Sequence, residues 1–407
     1  MKYIIRIVAL IFICTSLVIH FSCSQKPDLK SLILTGQNND NWKRSSIFLK
    51  EILEKPGIFD LDVEISPEKG EDMSGFIVDF SPYDVVVLDY NGDEWPEKTK
   101  NNFVSFVKNG GGVVVYHAAD NAFPEWQEYN EIIGLGGWGN RNEESGPYVY
   151  IENGKVVRDD SPGRGGSHGA QHEFKVYAFN PDHPILKGLP EIWLHTRDEL
   201  YSELRGPAQN LEILAYSHAA EKYNGTGRNE PVLLTITYGE GRIFHTVLGH
   251  AGDCLFAPAM ECAGFVTTFQ RGAEWAATGK VTQKVPVSFP TENTSLQWPF
   301  FEDIHTDIAL FVNKMQKYET GQSNESFNIF QTLMRENLND PEKINEYHSI
   351  ILELLKSKKT TDDCKKIILK EFSWMADESY KEIYEKLKQK TDLEEEAKYA
   401  LDRLNFQ

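Results

Sequence analysis

The chain has 407 residues, more than one ordinary domain needs, so two hydrophobic cores are expected. Hydrophobic residues make up 41% and charged residues 25%, the balance of a globular protein. A net charge of -19, from 61 acidic and 42 basic side chains, denies it the basic surface that nucleic acid requires, so no nucleic-acid partner is expected.

Lys2 and Arg6 precede an apolar run from Ile7 to Ile19, interrupted only by Cys14, Thr15 and Ser16. The run is too short to span a bilayer comfortably and has the layout of an export signal. Cys23 follows it, then polar Ser24-Gln25-Lys26. This resembles a bacterial lipoprotein signal over residues 1–22, with lipid on Cys23 as the sole membrane attachment. The expected location is the periplasm or the outer membrane, and ordinary secretion with cleavage nearby is the alternative. Cys254, Cys262 and Cys364 remain; their odd number and lack of CxxC spacing argue against a thiolate zinc site. A Cys254–Cys262 bridge and unpaired core thiols both stay open.

From Leu32 to about Lys280, short apolar runs alternate with amphipathic stretches, the pattern of α/β architecture. Leu32-Ile33-Leu34 is a first predicted strand, Gln37 to Arg44 a polar loop, and Ser45 to Leu53 a helix. Leu61 to Ile65 and Tyr83 to Tyr90 are further strands, the latter apolar on both faces as a buried parallel strand is. A helix starts at Pro96 and stops at Asn109-Gly110. Val113 to Tyr116 is the fourth strand, giving a doubly wound, mostly parallel sheet. Ten glycines between residues 134 and 170 mark a long insertion, in which Trp138, Arg141 and Arg164 favour order around a polar ligand. Strands resume at Leu211 to Tyr216, Val232 to Thr237 and Arg242 to Leu248; the last two form a hairpin through Tyr238-Gly239-Glu240-Gly241. Phe265 to Ala277 closes the domain as a helix. Residues 281–300, with three prolines, have the composition of a linker. Residues 301–407 carry one glycine, abundant Lys and Glu, and apolar positions at helical spacing, so a C-terminal all-α domain of stacked helices is expected. No catalytic motif falls in it, and a protein partner could dock there.

Eight of the 11 histidines fall between His117 and His250, several of them where a strand ends. Gly110-Gly111-Gly112-Val113-Val114-Val115-Tyr116-His117-Ala118-Ala119-Asp120 is the clearest case. The C-terminal edge of an α/β sheet is where ligands bind. His168 and His172 follow the glycine-rich stretch, Asp198, Glu199 and Tyr201 follow His195, and His250 follows the last strand. No Gly-x-Ser-x-Gly elbow, phosphate loop or dinucleotide fingerprint is present, so no serine hydrolase chemistry and no nucleotide cofactor are expected. Imidazoles and carboxylates suit acid/base work near neutral pH, and equally a zinc-like divalent ion. The catalytic candidates are His117, Glu199 and His250. The candidate metal set is His117, His172, Glu199 and His250. Asp120, Trp138, Arg164, His168, Tyr201 and Arg228 are candidates for binding substrate. His183 and His218 are read as structural, and His245 as a satisfied core residue.

In order, the strings Gly110–Asp120, Arg158–Phe174, His183–Leu189, His195–Tyr201, Gly225–Leu234, Gly239–His250 and Arg271–Ala276 resemble the ThuA, or trehalose-utilisation, family. The resemblance spans about residues 30–280 and leaves out the helical region. It implies a class I glutamine amidotransferase-like (flavodoxin-like) fold without the catalytic cysteine, whose place His117 takes. Asn229 stands where close relatives would carry histidine, which argues against that loop in metal binding. The resemblance also implies carbohydrate metabolism, with a small-molecule sugar or glycoside as ligand. A 3-keto group would acidify the C2 proton of a glycoside. His117 or Glu199 could then act as base, a metal or cationic imidazole could hold the enolate, and His250 could protonate the leaving group. A sugar-binding lipoprotein that hands its ligand to a partner is the alternative.

Overall fold

The computed structural model describes residues 29–252, 258–299, 308–322, 324–338 and 340–405. The expected leader, Cys23 and Cys254 lie outside the described residues.

Strands β1 (Leu29–Thr35), β2 (Phe59–Ile65), β3 (Val85–Leu88) and β4 (Gly112–Tyr116) alternate with helices α1 (Trp42–Glu54) and α2 (Glu97–Lys108). β1 pairs in parallel with both β2 and β3, and β3 with β4. Every residue of β3 is buried, as a central strand covered on both faces requires. α1 turns Phe48, Leu49, Ile52 and Leu53 inward, and α2 turns Phe103 and Val107. Each is a stripe at helical spacing turned toward the sheet. The order β2-β1-β3-β4 means that the winding reverses between β1 and β3. A crevice opens at the strand C-termini at such a switch point.

The chain continues through α3 (Gln127–Ile133), the β5–β6 hairpin (Tyr148–Glu152, Lys155–Asp159), β7 (Ser167–His168), β8 (His172–Ala178) and β9 (Ile192–Asp198). β10 (Tyr201–Ser202), β11 (Leu211–His218), β12 (Asn229–Tyr238) and β13 (Gly241–Thr246) follow. The glycine-rich stretch is therefore not one open loop, because the β5–β6 hairpin lies inside it. β13 returns from β12 as a hairpin and joins β4 in parallel. The sheet runs β2-β1-β3-β4-β13-β12-β11-β8-β9, parallel as far as β13 and antiparallel beyond it. Helices α4 (Pro258–Glu261) and α5 (Ala263–Thr278) follow; α5 packs on β4 and β13 and also meets α1, whereas α2 and α3 reach β13 separately.

Residues 281–299 are seated on this domain. The Leu194 and Ala263 N–H groups donate to the Thr291 and Leu296 carbonyls, and the Phe289 ring meets Trp193. Beyond them come α6 (Ile308–Gln316), α7 (Glu325–Glu336), α8 (Pro341–Lys356), α9 (Asp362–Glu371), α10 (Lys381–Leu387) and α11 (Glu394–Asn405). They bury their own cluster around Phe330, Ile351, Ile368, Tyr384 and Leu401. Among the described residues no helix is long and apolar enough to cross a membrane.

Candidate functional site

β4 ends at Tyr116, and His117 takes a φ of 44°, in the left-handed region that disfavours any residue with a β-carbon. Its imidazole is fully buried, and its Nδ1–H donates to the Val247 carbonyl at 2.6 Å. A carbonyl can only accept, so Nδ1 carries a proton and Nε2 is the ring atom turned toward the other side chains of the cluster. Facing Nε2 are His250 Nδ1 at 3.2 Å, Asp40 Oδ2 at 3.3 Å and Glu199 Oε2 at 3.8 Å. His250 Nδ1 is also 3.6 Å from Asp40 Oδ2 and 3.5 Å from Glu199 Oε2. The four side chains follow β1, β4, β9 and β13, so the C-terminal edge of the sheet assembles them.

Two buried carboxylates hold this arrangement. Asp89, just after β3, accepts the Thr35 and Ser45 hydroxyls at 2.9 and 2.7 Å and the Asn38 amide at 3.2 Å, which pins the loop that carries Asp40. Burial pushes the Asp89 pKa up to about 7 against those hydrogen bonds. Asp198, at the end of β9, accepts the Gly249 N–H and the His195 Nε2–H on Oδ2, both at 2.8 Å. Its Oδ1 accepts the His250 N–H at 3.0 Å and the Glu199 N–H at 2.8 Å. One carboxylate thus fixes the backbone of two site residues from different strands. Gly249 is required there: its φ is +98°, and a Cβ would lie 2.6 Å from the Phe265 ring.

Electrostatics follow from this crowding. Burial works against charge on Asp40, but hydrogen bonding to His250 and the nearby His117, His250 and His168 rings hold its carboxyl below the usual range. Burial likewise opposes the His250 imidazolium, yet Asp40, Glu199 and Asp198 push its pKa up to about 9. Behind Asp198, burial opposes charge on His195, and the neighbouring Cys262 and Asp198 outweigh it, raising that pKa to about 10.

A cleft of about 500 Å³ opens beside the cluster, a volume suited to a small molecule. Asp40, Glu199, His168, Trp138, Tyr201, Phe123 and the amides of Asn39, Asn91 and Asn121 line it. Tyr201 stacks on His117 at 4.4 Å, and Trp138 meets Tyr201 edge-on at 4.7 Å. Trp138 is held by its N–H bond to the Gly165 carbonyl, with Gly166 packed so closely that a Cβ would lie 2.5 Å from the Trp138 nitrogen. His168 Nε2 is 3.9 Å from Glu199 Oε2.

The structure brings His117, Glu199 and His250 together and places Trp138, His168 and Tyr201 on the cleft. It does not bring His172 to the cluster: its ring stacks on Tyr223 at 3.8 Å and its Nδ1–H donates to the Ala170 carbonyl. Asp120 lies one turn beyond His117 and points into the interior, fully buried, 3.4 Å from His245 Nε2. Arg164 pairs with Glu203 at 2.7 Å, and Arg228 lies over Tyr150 at 4.2 Å with Asp159 at 3.7 Å; neither lines the cleft. His245 donates through Nδ1 to the Ile133 carbonyl and is buried. His183 packs edge-on against Trp275, and exposed His218 meets Asn229. Asp40 was hidden in the sequence, because it is one polar residue among several in the loop of residues 37–41, which ends where α1 begins at Trp42 rather than at Ser45. Its place immediately after the first strand, on the ligand-binding edge, was the available signal.

Sheet, switch point and imidazole–carboxylate cluster together define an α/β protein with a small-molecule cleft and no cysteine among the lining residues. The chain belongs to the ThuA family: the family model, described as trehalose utilisation, matches residues 30–276. Its function is accordingly carbohydrate-related. The crystal structure of a ThuA-like protein from Parabacteroides merdae is 56% identical, with a TM-score of 0.66, and covers 68% of this chain and 99% of its own. A ThuA-like protein from Bacteroides uniformis is 18% identical with a TM-score of 0.42, covering 63% and 94%. No functionally curated protein matches the chain.

Proposed function

We propose that the protein cleaves 3-keto-glycosides, keto-trehalose among them, by proton abstraction and elimination. The observation that carries this reading is the placement of a carboxylate base, Glu199, within 3.5 Å of the His250 imidazole whose pKa is raised to about 9, beside a cleft of sugar size. The Gln171 amide donates to Glu199 Oε1 at 3.2 Å, which orients Oε2 toward the cluster. Glu199 takes the C2 proton, and the electron pair forms an enolate across C2 and C3. The His250 imidazolium holds the enolate oxygen. Collapse restores the C3 ketone, forms a C1–C2 double bond and breaks the bond from C1 to the leaving oxygen, which takes up the proton that Glu199 removed from C2. The glycoside yields an enone and an alcohol, with no water consumed. Aromatic Trp138 and Tyr201 offer faces for a sugar ring, and the asparagine amides offer hydrogen bonds to its hydroxyls. Independently of the reaction, the leader-like run before Cys23 supports reading the chain as an exported protein tethered by lipid at that cysteine.

Incubation with 3-keto-trehalose or an aryl 3-keto-glucoside should release free sugar or phenol. Glu199→Gln should slow that release by roughly 10²–10⁴-fold, the usual worth of a positioned base. Absence of release with any divalent ion overturns the proposal. Sugar binding that is indifferent to His117→Ala and His250→Ala would instead mark a carrier.

A further inference from the structure

We infer that Asp40, His117 and His250 form a divalent-metal site, with Glu199 as the fourth side chain facing it. The site stands on its geometry; only the role given to the ion rests on the reaction proposed above. Asp40, His117 and His250 each turn one ligand atom to a common point, with mutual separations of 3.2, 3.3 and 3.6 Å. A tetrahedral ion with bonds of about 2.0–2.1 Å spaces its ligand atoms about 3.3–3.4 Å apart. The three separations bracket that edge length. The orientation of the His117 ring points the same way. The Nδ1–H of His117 is committed to Val247, so Nε2 is the atom it turns to a cluster that also holds two carboxylates and a second imidazole. A dication at their common point would be met by all of these atoms at once.

The surroundings are those of ligands held in advance. The Val247 carbonyl fixes the His117 tautomer, Asp198 fixes the backbone at His250, and Asp89 fixes the Asp40 loop. Such outer contacts orient ligands and tune affinity. Two imidazoles with a carboxylate suit zinc or a similar borderline ion better than magnesium. With three side chains bound, one position stays open toward the cleft, where the ion would polarise a ketone oxygen in place of the His250 proton. Glu199 then keeps its role as base.

The test uses the full chain stripped by chelator and titrated with Zn²⁺ by calorimetry and with Co²⁺ by visible absorption. The expected result is one ion per chain with a four- or five-coordinate cobalt spectrum. Affinity should fall by roughly 100-fold or more in Asp40→Ala and His250→Ala, and should not change in His172→Ala. Asp40→Asn, which keeps size and polarity, should melt like the wild type and still lose the ion; this separates ligation from folding. No stoichiometric uptake by the wild type, or uptake that survives in both alanine variants, overturns the site. Turnover separates the two proposals: an ion bound without sugar release overturns the reaction alone, and release equally fast without the ion overturns the ion's role.

Discussion

At the scale of single residues, Asp198 is the group on which the site most depends, although it does not line the cleft. Its carboxylate receives four hydrogen bonds, from His195, Gly249, His250 and Glu199, while fully buried. Burial penalises its charge, but His195 and His117 together with the backbone N–H groups hold its pKa below the ordinary value. Asp198→Asn leaves the His195 imidazole without its charged partner and turns an amide N–H against N–H donors. Loss of one partner from a buried pair costs about 3–5 kcal/mol. Urea unfolding should show a loss of that order, and the cobalt spectrum should change even under conditions where the variant is fully folded. An unaltered spectrum would reduce Asp198 to a purely structural role.

At the scale of elements, Glu230 near the start of β12 ties the β5 strand and the β10 turn to the sheet. Its carboxyl accepts the Tyr148 and Thr226 hydroxyls and the Glu203 N–H. Burial outweighs these bonds and pushes its pKa from 4.5 up to about 7. Folding therefore raises this pKa, so its contribution to stability is complete below about pH 4.5 and is lost as pH rises through 7. Glu230→Gln cannot ionise, and relative to wild type it should gain up to about 3 kcal/mol between pH 4 and pH 8. Urea midpoints across that range measure it, and a pH-independent difference would refute it.

At the scale of the molecule, the two hydrophobic clusters share no residue, and every residue of the site belongs to the first domain. A chain ending at residue 299 should therefore bind its ion and turn over substrate as the full chain does, by calorimetry and kcat/KM; loss of either would give the helices a part in the site. The parallel half of the sheet was legible in the sequence, because β3 and β4 are short aliphatic runs set off by glycine and by an amphipathic helix. His117 and His250 were legible for the same reason, each following such a run. His172 was not, since spacing from His168 says nothing about a partner such as Tyr223, 51 positions further on, that captures its ring. Asp40 and the hub at Asp198 depend on contacts between distant strand ends, which periodicity cannot express.

The left-handed backbone at His117 has a consequence for its replacement. A side chain in that conformation costs about 1–3 kcal/mol, which glycine would recover. That recovery is opposed by the cavity left where the buried imidazole stacks on Tyr201 and by the Val247 carbonyl that loses its donor. His117→Gly and His117→Ala lose the same ring, but only the alanine variant keeps the strain. The difference between their unfolding free energies therefore reads what the elbow after β4 stores.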